Sequence, residues 1–278
     1  MKRIIILTGS ELRHRFFRKA VASHTDINVV RTYCFGMQNT LVESTGKMEG
    51  EASHLATKHL EARARSERDF FDPFDRVVAD QSNPTERDRR RIDHQEIFEE
   101  AAALDPDLLV AFGSPIINEP LLSAYEGRFL NVHLGLSPYY RGGGTNFWAL
   151  VNGEPEFVGA TFMQIDAGVD TGETIHQIRA RVDPGDTPHQ IGNRLIADMT
   201  IVCGAIISRF DRIPRMAQIA ETPGSKVYRR RDLTEEAIGT LYRNFSEGLI
   251  DEYLAEGGRR CAAAPIIENP AVLQPVSM

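Results

Sequence analysis

Phe129 to Gly144 reads FLNVHLGLSPYYRGGG, and this stretch decides how the chain is read. A short apolar run carries two polar residues, Asn131 and His133, at a spacing of two, then breaks into a loop of Gly, Ser, Pro and three consecutive glycines. On a strand that spacing puts both side chains on one face. A buried strand with one hydrogen-bonded Asn and one satisfied core His would explain the pair alone. It would not explain Gly142, Gly143 and Gly144, which make sense where backbone needs unusual dihedrals or close approach. The stretch therefore reads as a polar pair presented at a strand end beside a functional loop.

Working outward, Asp107 to Phe112 (DLLVAF) is a continuous apolar run of buried parallel-strand type that ends in Gly113-Ser114-Pro115. At the N-terminus, Arg3 to Leu7 predicts a strand, Thr8 to Ser10 a turn and Glu11 to Ser23 a helix; Ile27 to Cys34 predicts a second strand. Strand, glycine turn, helix opens a doubly wound sheet, where ligands bind at the carboxyl edge. The expected fold is α/β: a Rossmann-like, mostly parallel sheet with an antiparallel hairpin and a small C-terminal helical appendage. TGSELR supplies one glycine of a GxGxxG fingerprint, and no GK[ST] phosphate loop occurs.

The hairpin is expected from Val158 to Ile165 and Thr174 to Val182, joined by Asp166-Ala167-Gly168-Val169-Asp170-Thr171-Gly172-Glu173. That connection exceeds the roughly 2 to 5 residues a hairpin needs, which suggests a task for it. Thr187, Pro188 and Gln190 open a long helix with a capping box. Trp148 belongs to a short helix, Asn146 to Val151, as a core residue.

Between the second strand and the DLLVAF strand the chain turns polar. Glu43 to Glu67 predicts a charged helix unable to serve as a core element, with Phe70, Phe71 and Phe74 around Pro73 anchoring it. Gln81 to Arg91 reads as a linker, and His94 to Leu104 as a helix. His54 and His59 are five apart, off the spacing that aligns two metal ligands on a helix. Late in the chain, Thr234 to Glu256 predicts one amphipathic helix closed by Gly257-Gly258, and the tail from Cys261 reads as loose. The resulting division is 1–212 as catalytic domain, with 43–92 as a polar helical insertion, and 213–278 as a helical extension with a loose tail.

The 278 residues carry 42% hydrophobic and 26% charged residues, which argues against wholesale disorder. A net charge of −7 weighs against a protein that neutralises nucleic-acid phosphates; the basic clusters at Arg87 to Arg91 and Arg229 to Arg231 read as solvated faces. No apolar run approaches the roughly 20 residues of a membrane span. Cys34, Cys203 and Cys261 lie far apart, without metal or disulfide spacing, so a cytoplasmic location is expected.

Asn131, His133 and Asp170 remain as candidates. Without a Ser or Cys they form no nucleophilic triad, and one His among three such groups makes no convincing zinc site. They suit a reaction in which the substrate brings its nucleophile while the protein holds an oxyanion and moves protons.

Asn131-Val132-His133, Leu136-Ser137-Pro138, Arg141-Gly142 and Asp166 to Gly172 together resemble the folate-dependent formyltransferase family, from about Asp107 to Val182. That family includes glycinamide ribonucleotide, methionyl-tRNA and sugar N-formyltransferases. The resemblance implies formyl transfer from 10-formyltetrahydrofolate to an amine, with Asn131, His133 and Asp170 catalytic and no metal. It implies folate contacts from Phe112, Gly113, Ser114, Pro115 and Ile116 and from Asp166, Ala167, Gly168 and Val169. Ser10, Glu11, Arg13, Tyr139 and Arg141 would meet the acceptor. Glu11 stands where the purine-pathway relatives usually have Asn, and a carboxylate at a helix N-terminus occupies the field that attracts a phosphate. The acidic charge and the expected single C-terminal helix disfavour tRNA. A small-molecule amine, such as a nucleotide-linked amino sugar, is expected. The insertion would shape the acceptor site or a homodimer contact, and no membrane partner is expected. A truncated tRNA-type enzyme, a 10-formyltetrahydrofolate hydrolase and a non-catalytic folate- or sugar-binding module stay as alternatives.

Overall fold

The computed structural model describes residues 1–36, 51–89, 92–221, 224–229 and 232–273. The 43–50 part of the helix expected over Glu43 to Glu67, the Arg90-Arg91 and Arg230-Arg231 parts of the basic clusters and the last residues of the tail lie outside them.

Seven strands form the main sheet: β1 (Lys2–Gly9), β2 (Ile27–Phe35), β3 (Pro84–Arg87), β4 (Leu108–Phe112), β5 (Phe129–His133), β7 (Gly159–Gln164) and β8 (Thr174–Arg179), in the order β3-β2-β1-β4-β5-β7-β8. The first five are parallel; β7 joins β5 antiparallel, with His133 opposite Thr161, and β8 completes the hairpin. A separate short ribbon pairs β6 (Tyr140–Gly142) with β9 (Lys226–Tyr228). The parallel sheet and antiparallel hairpin expected from the sequence are both present.

Period-two alternation sends the strand side chains to two cores. Ile4, Ile6, Val110 and Val132 meet Phe17 of α1 (Leu12–Ala22) and the apolar stripe Leu195, Met199 and Ile206 of the long helix Pro188–Arg209. Ile5, Leu7, Leu109 and Ala111 meet Ile97 of His94–Leu104 and Leu121 of Leu121–Ala124 on the other face. The capping box at Thr187 and Gln190 is formed. By length and composition 188–212 could cross a membrane, but 56% of that window is buried inside the protein, as in a core helix.

Numbered in chain order, the remaining helices are α2 (Glu51–Val77), α3 (His94–Leu104), α4 (Leu121–Ala124), α5 (Thr145–Val151), α6 (Pro188–Arg209), α7 (Glu235–Ser246), α8 (Leu249–Ala263) and α9 (Pro270–Leu273).

Four expectations are corrected. Helix α2 runs through Pro73, and its lower half is a core element: Phe71 is fully buried against Phe16, ring centroids 4.7 Å apart, and Asp75 Oδ1 takes Lys19 Nζ at 3.0 Å. Within the expected linker over Gln81 to Arg91, Pro84–Arg87 forms edge strand β3. The single C-terminal helix is two, because Gly248 adopts φ +94, while Gly257 and Gly258 lie inside α8. The described part of the tail is pinned to β8: Gln177 exchanges a backbone and a side-chain hydrogen bond with Ile267, and Asn269 N donates to His176 Nδ1 at 2.9 Å.

Candidate active site

Strand β5 delivers Asn131 and His133 on the same face, as their spacing predicts, and the β7–β8 loop brings Asp170 to both. Asn131 Nδ2 donates to Asp170 Oδ1 at 3.3 Å; His133 Nδ1 lies 3.5 Å from the same oxygen. Asp170 Oδ2 accepts Gly142 N at 2.9 Å, so the glycine loop grips the carboxylate from its other side. Asp170 sits at φ +53, a left-handed conformation that Asp tolerates better than most residues. Gln218 holds that turn, donating through Nε2 to the carbonyls of Asp170 and Gly172, both at 2.9 Å.

His133 Nε2 is 3.2 Å from the Tyr140 carbonyl, which can only accept, so this nitrogen carries a hydrogen there. The ring is enclosed: a Cβ built on Gly135 would stand 2.5 Å from His133 Nε2 and 2.5 Å from Thr145 Oγ1. Thr145 Oγ1 donates to the Leu134 carbonyl and holds α5 to the end of β5. Trp148 stacks on Tyr228 at 4.4 Å, seating the β6–β9 ribbon over the site as a structural residue.

Of the expected folate contacts, Phe112 is buried at the end of β4 and Gly113 adopts φ +65. Ile116 and Val169 are apolar yet 80% and 57% exposed, on the loops that follow β4 and β7. Asp166 is committed to its own loop, accepting Gly168 N at 3.0 Å and Thr171 Oγ1 at 2.8 Å. Gly113 packs on His14, whose buried Nδ1 has no hydrogen-bond partner among the described residues.

The expected acceptor contacts fare differently. Ser10 donates to Glu86 at 2.8 Å. Arg13 is buried between Glu11 and Glu67, and Arg63 closes a four-membered ion-pair ring with the same two carboxylates. Tyr139 is buried with its hydroxyl on the Pro265 carbonyl at 2.8 Å, away from the cluster. Arg141 alone of the five lies on the strand that touches both His133 and Asp170. Gln218 carries no motif; its segment of coil has no periodicity, so nothing in the sequence marks it. Among the described residues no group of three or more His, Cys, Asp or Glu could hold a metal ion.

The family model for formyl transferase matches residues 31–201, more than half of the chain. The chain belongs to the formyl transferase family. Among its curated relatives, methionyl-tRNA formyltransferase from Geobacter metallireducens is 37% identical over 100 residues, which span 35% of this chain and 32% of that protein. This chain thus matches only about a third of that relative's length. Two solved structures share the fold: phosphoribosylglycinamide formyltransferase from Anaplasma phagocytophilum (TM-score 0.53, 14% identity, 82% of this chain and 97% of that one) and glycinamide ribonucleotide transformylase 1 from Symbiobacterium toebii (TM-score 0.54, 21% identity, 80% and 95%).

Proposed function

We propose that this formyl transferase moves a formyl group from 10-formyltetrahydrofolate to the primary amine of a small-molecule acceptor. The observation that carries the reading is the convergence of Asn131 and His133 on one oxygen of Asp170. When bound, the folate supplies the formyl carbon as electrophile; Gly113 to Ile116 and Asp166 to Val169 would hold it. An amide nitrogen has two hydrogens, so Asn131 can keep Asp170 with one and offer the other to the negative oxygen that develops in acyl transfer. His133 would add a second hydrogen bond by turning its Nε2 hydrogen from the Tyr140 carbonyl to that oxygen. Asp170 then takes the proton released by the attacking amine, directly or through one water, and a proton passes back to the folate nitrogen as its bond to the formyl carbon breaks and tetrahydrofolate leaves.

The identity to methionyl-tRNA formyltransferases favours a second reading, an aminoacyl-tRNA acceptor. The net charge of −7 favours a small molecule. Incubation with 10-formyltetrahydrofolate and a panel of nucleotide-linked amino sugars, amino acids, glycinamide ribonucleotide and methionyl-tRNA decides between them by release of tetrahydrofolate. Release that requires an amine supports transfer, release without one indicates a hydrolase, and binding without release refutes the reading.

A further inference from the structure

Two arginines from the expected acceptor set are held in opposite ways. Arg13 is closed in by carboxylates that are themselves mostly buried. Arg141 has a single ion pair among the described residues: its Nη2 meets Glu221 Oε1 at 2.6 Å, and the Glu221 side chain is 61% exposed. The Arg141 side chain is only 12% exposed, and its buried Nε has no hydrogen-bond partner among the described residues.

A guanidinium so far removed from water, with a donor unmatched, is under-satisfied; a two-oxygen anion on its edge would supply what is missing. Glu221 does this incompletely and from solvent, where an ion pair contributes little, so a ligand can displace it at small cost. The position is apt. Arg141 lies between Tyr140, whose carbonyl meets His133, and Gly142, whose amide meets Asp170. Along β6 the Tyr140 side chain enters the core, and strand alternation turns Arg141 the other way. Glu221 belongs to the same coil as Gln218, which fixes the Asp170 turn.

We propose that Arg141 reads an anionic group on the acceptor, that Glu221 occupies it until the acceptor arrives, and that the acceptor is therefore an amine bearing a carboxylate or a phosphate. The identity of the bound molecule as acceptor rests on the formyl-transfer reading; the anion site does not.

Titration of the protein with inorganic phosphate and, separately, acetate tests this by calorimetry without any turnover. Glu221→Gln should tighten binding of one of them by roughly two- to fivefold, the worth of an exposed ion pair. Arg141→Gln should weaken it by at least about tenfold, with Arg141→Lys between the two. Phosphate preferred over acetate assigns a phosphorylated acceptor, and the reverse a carboxylated one. Binding that is equal in wild type and Arg141→Gln, or absent even from Glu221→Gln, overturns the proposal. In kinetics, Glu221→Gln should lower KM for a charged amine and not for its neutral amide. Anion binding as expected without any formylated amine would sink the formyl-transfer reading and leave the anion site standing. Turnover with a KM indifferent to acceptor charge and to Arg141 would do the opposite.

Discussion

Asp170 Oδ1 stands 3.5 Å from His133 Nδ1, while its Oδ2 receives the Gly142 amide at 2.9 Å. One carboxylate therefore couples the strand that carries the histidine to the loop that encloses it. At 3.5 Å the contact between His133 and Asp170 is longer than a tight hydrogen bond.

Asp170→Asn separates charge from shape. Asn tolerates the left-handed backbone at φ +53, so the turn should survive. The charge and the proton acceptor disappear. Formyl transfer should fall by about 10²- to 10⁴-fold, as for loss of a positioned general base, with a thermal midpoint close to wild type. Turnover near the wild-type rate would remove Asp170 from the mechanism.

Gly135 tests whether the enclosure of His133 matters. An alanine methyl there would meet His133 Nε2 and Thr145 Oγ1, both at 2.5 Å, so the ring or α5 must shift. A displacement near 1 Å costs on the order of 10²-fold in rate. Gly135→Ala should show that loss while its circular dichroism stays native. Gly192→Ala is the control: nothing lies within 4 Å, the site is helical, and stability should rise by about 0.5–1 kcal/mol with activity intact.

Asn131, His133 and Asp170 were legible because each leaves a local mark: a spacing of two on an apolar run, and a hairpin loop longer than it needs to be. The hidden parts depend on contacts that sequence spacing does not encode. Strand β3 is four residues at a sheet edge, with Pro84 first and no buried side chain, so only its pairing to Thr32 through Phe35 defines it. The expected helix stops at Glu67, yet packing of Phe71 and Asp75 on α1 carries α2 on through Pro73. Gln218 reaches Asp170 across 48 residues of chain and leaves no periodic signal. Tyr139 shows the converse: adjacency to the motif suggested a site residue, and folding turned it toward Pro265.

The C-terminal segment should matter for stability. Gln177 is fully buried; its Oε1 accepts Ile267 N at 2.9 Å, and its Nε2 donates to Ser137 O at 2.7 Å and Thr161 Oγ1 at 3.0 Å. One amide thus joins the tail to the loop after His133. Gln177→Leu leaves the Ile267 amide and the Ser137 carbonyl without these partners, at about 1–3 kcal/mol for each buried group. Urea unfolding should show that loss, and proteolysis should begin after Ala264. An unchanged midpoint would mean that the tail does not support the fold.

Three histidines that the fold holds against protonation, His14 and His59 buried and His189 half-buried, contribute to the acid limit. Burial pushes His59 down to about 3, with His189 and Arg63 adding to the effect. Burial and Arg63 push His189 down to about 4. His14 is held well below the usual range by burial and by Arg13, Arg63 and Arg89. In the unfolded chain all three titrate near the ordinary histidine value of roughly 6.5. As pH falls below that value the unfolded state takes up protons that the native state refuses, so stability declines from about pH 6.5 toward the depressed native values. Each histidine contributes at most about 1.4 kcal/mol per pH unit in that window. Above pH 7 the contribution is complete and flat. Urea midpoints at pH 7, 6 and 5 should fall progressively, and His59→Gln should make the decline shallower. A midpoint constant from pH 7 to pH 5 would show that these rings are solvated rather than buried.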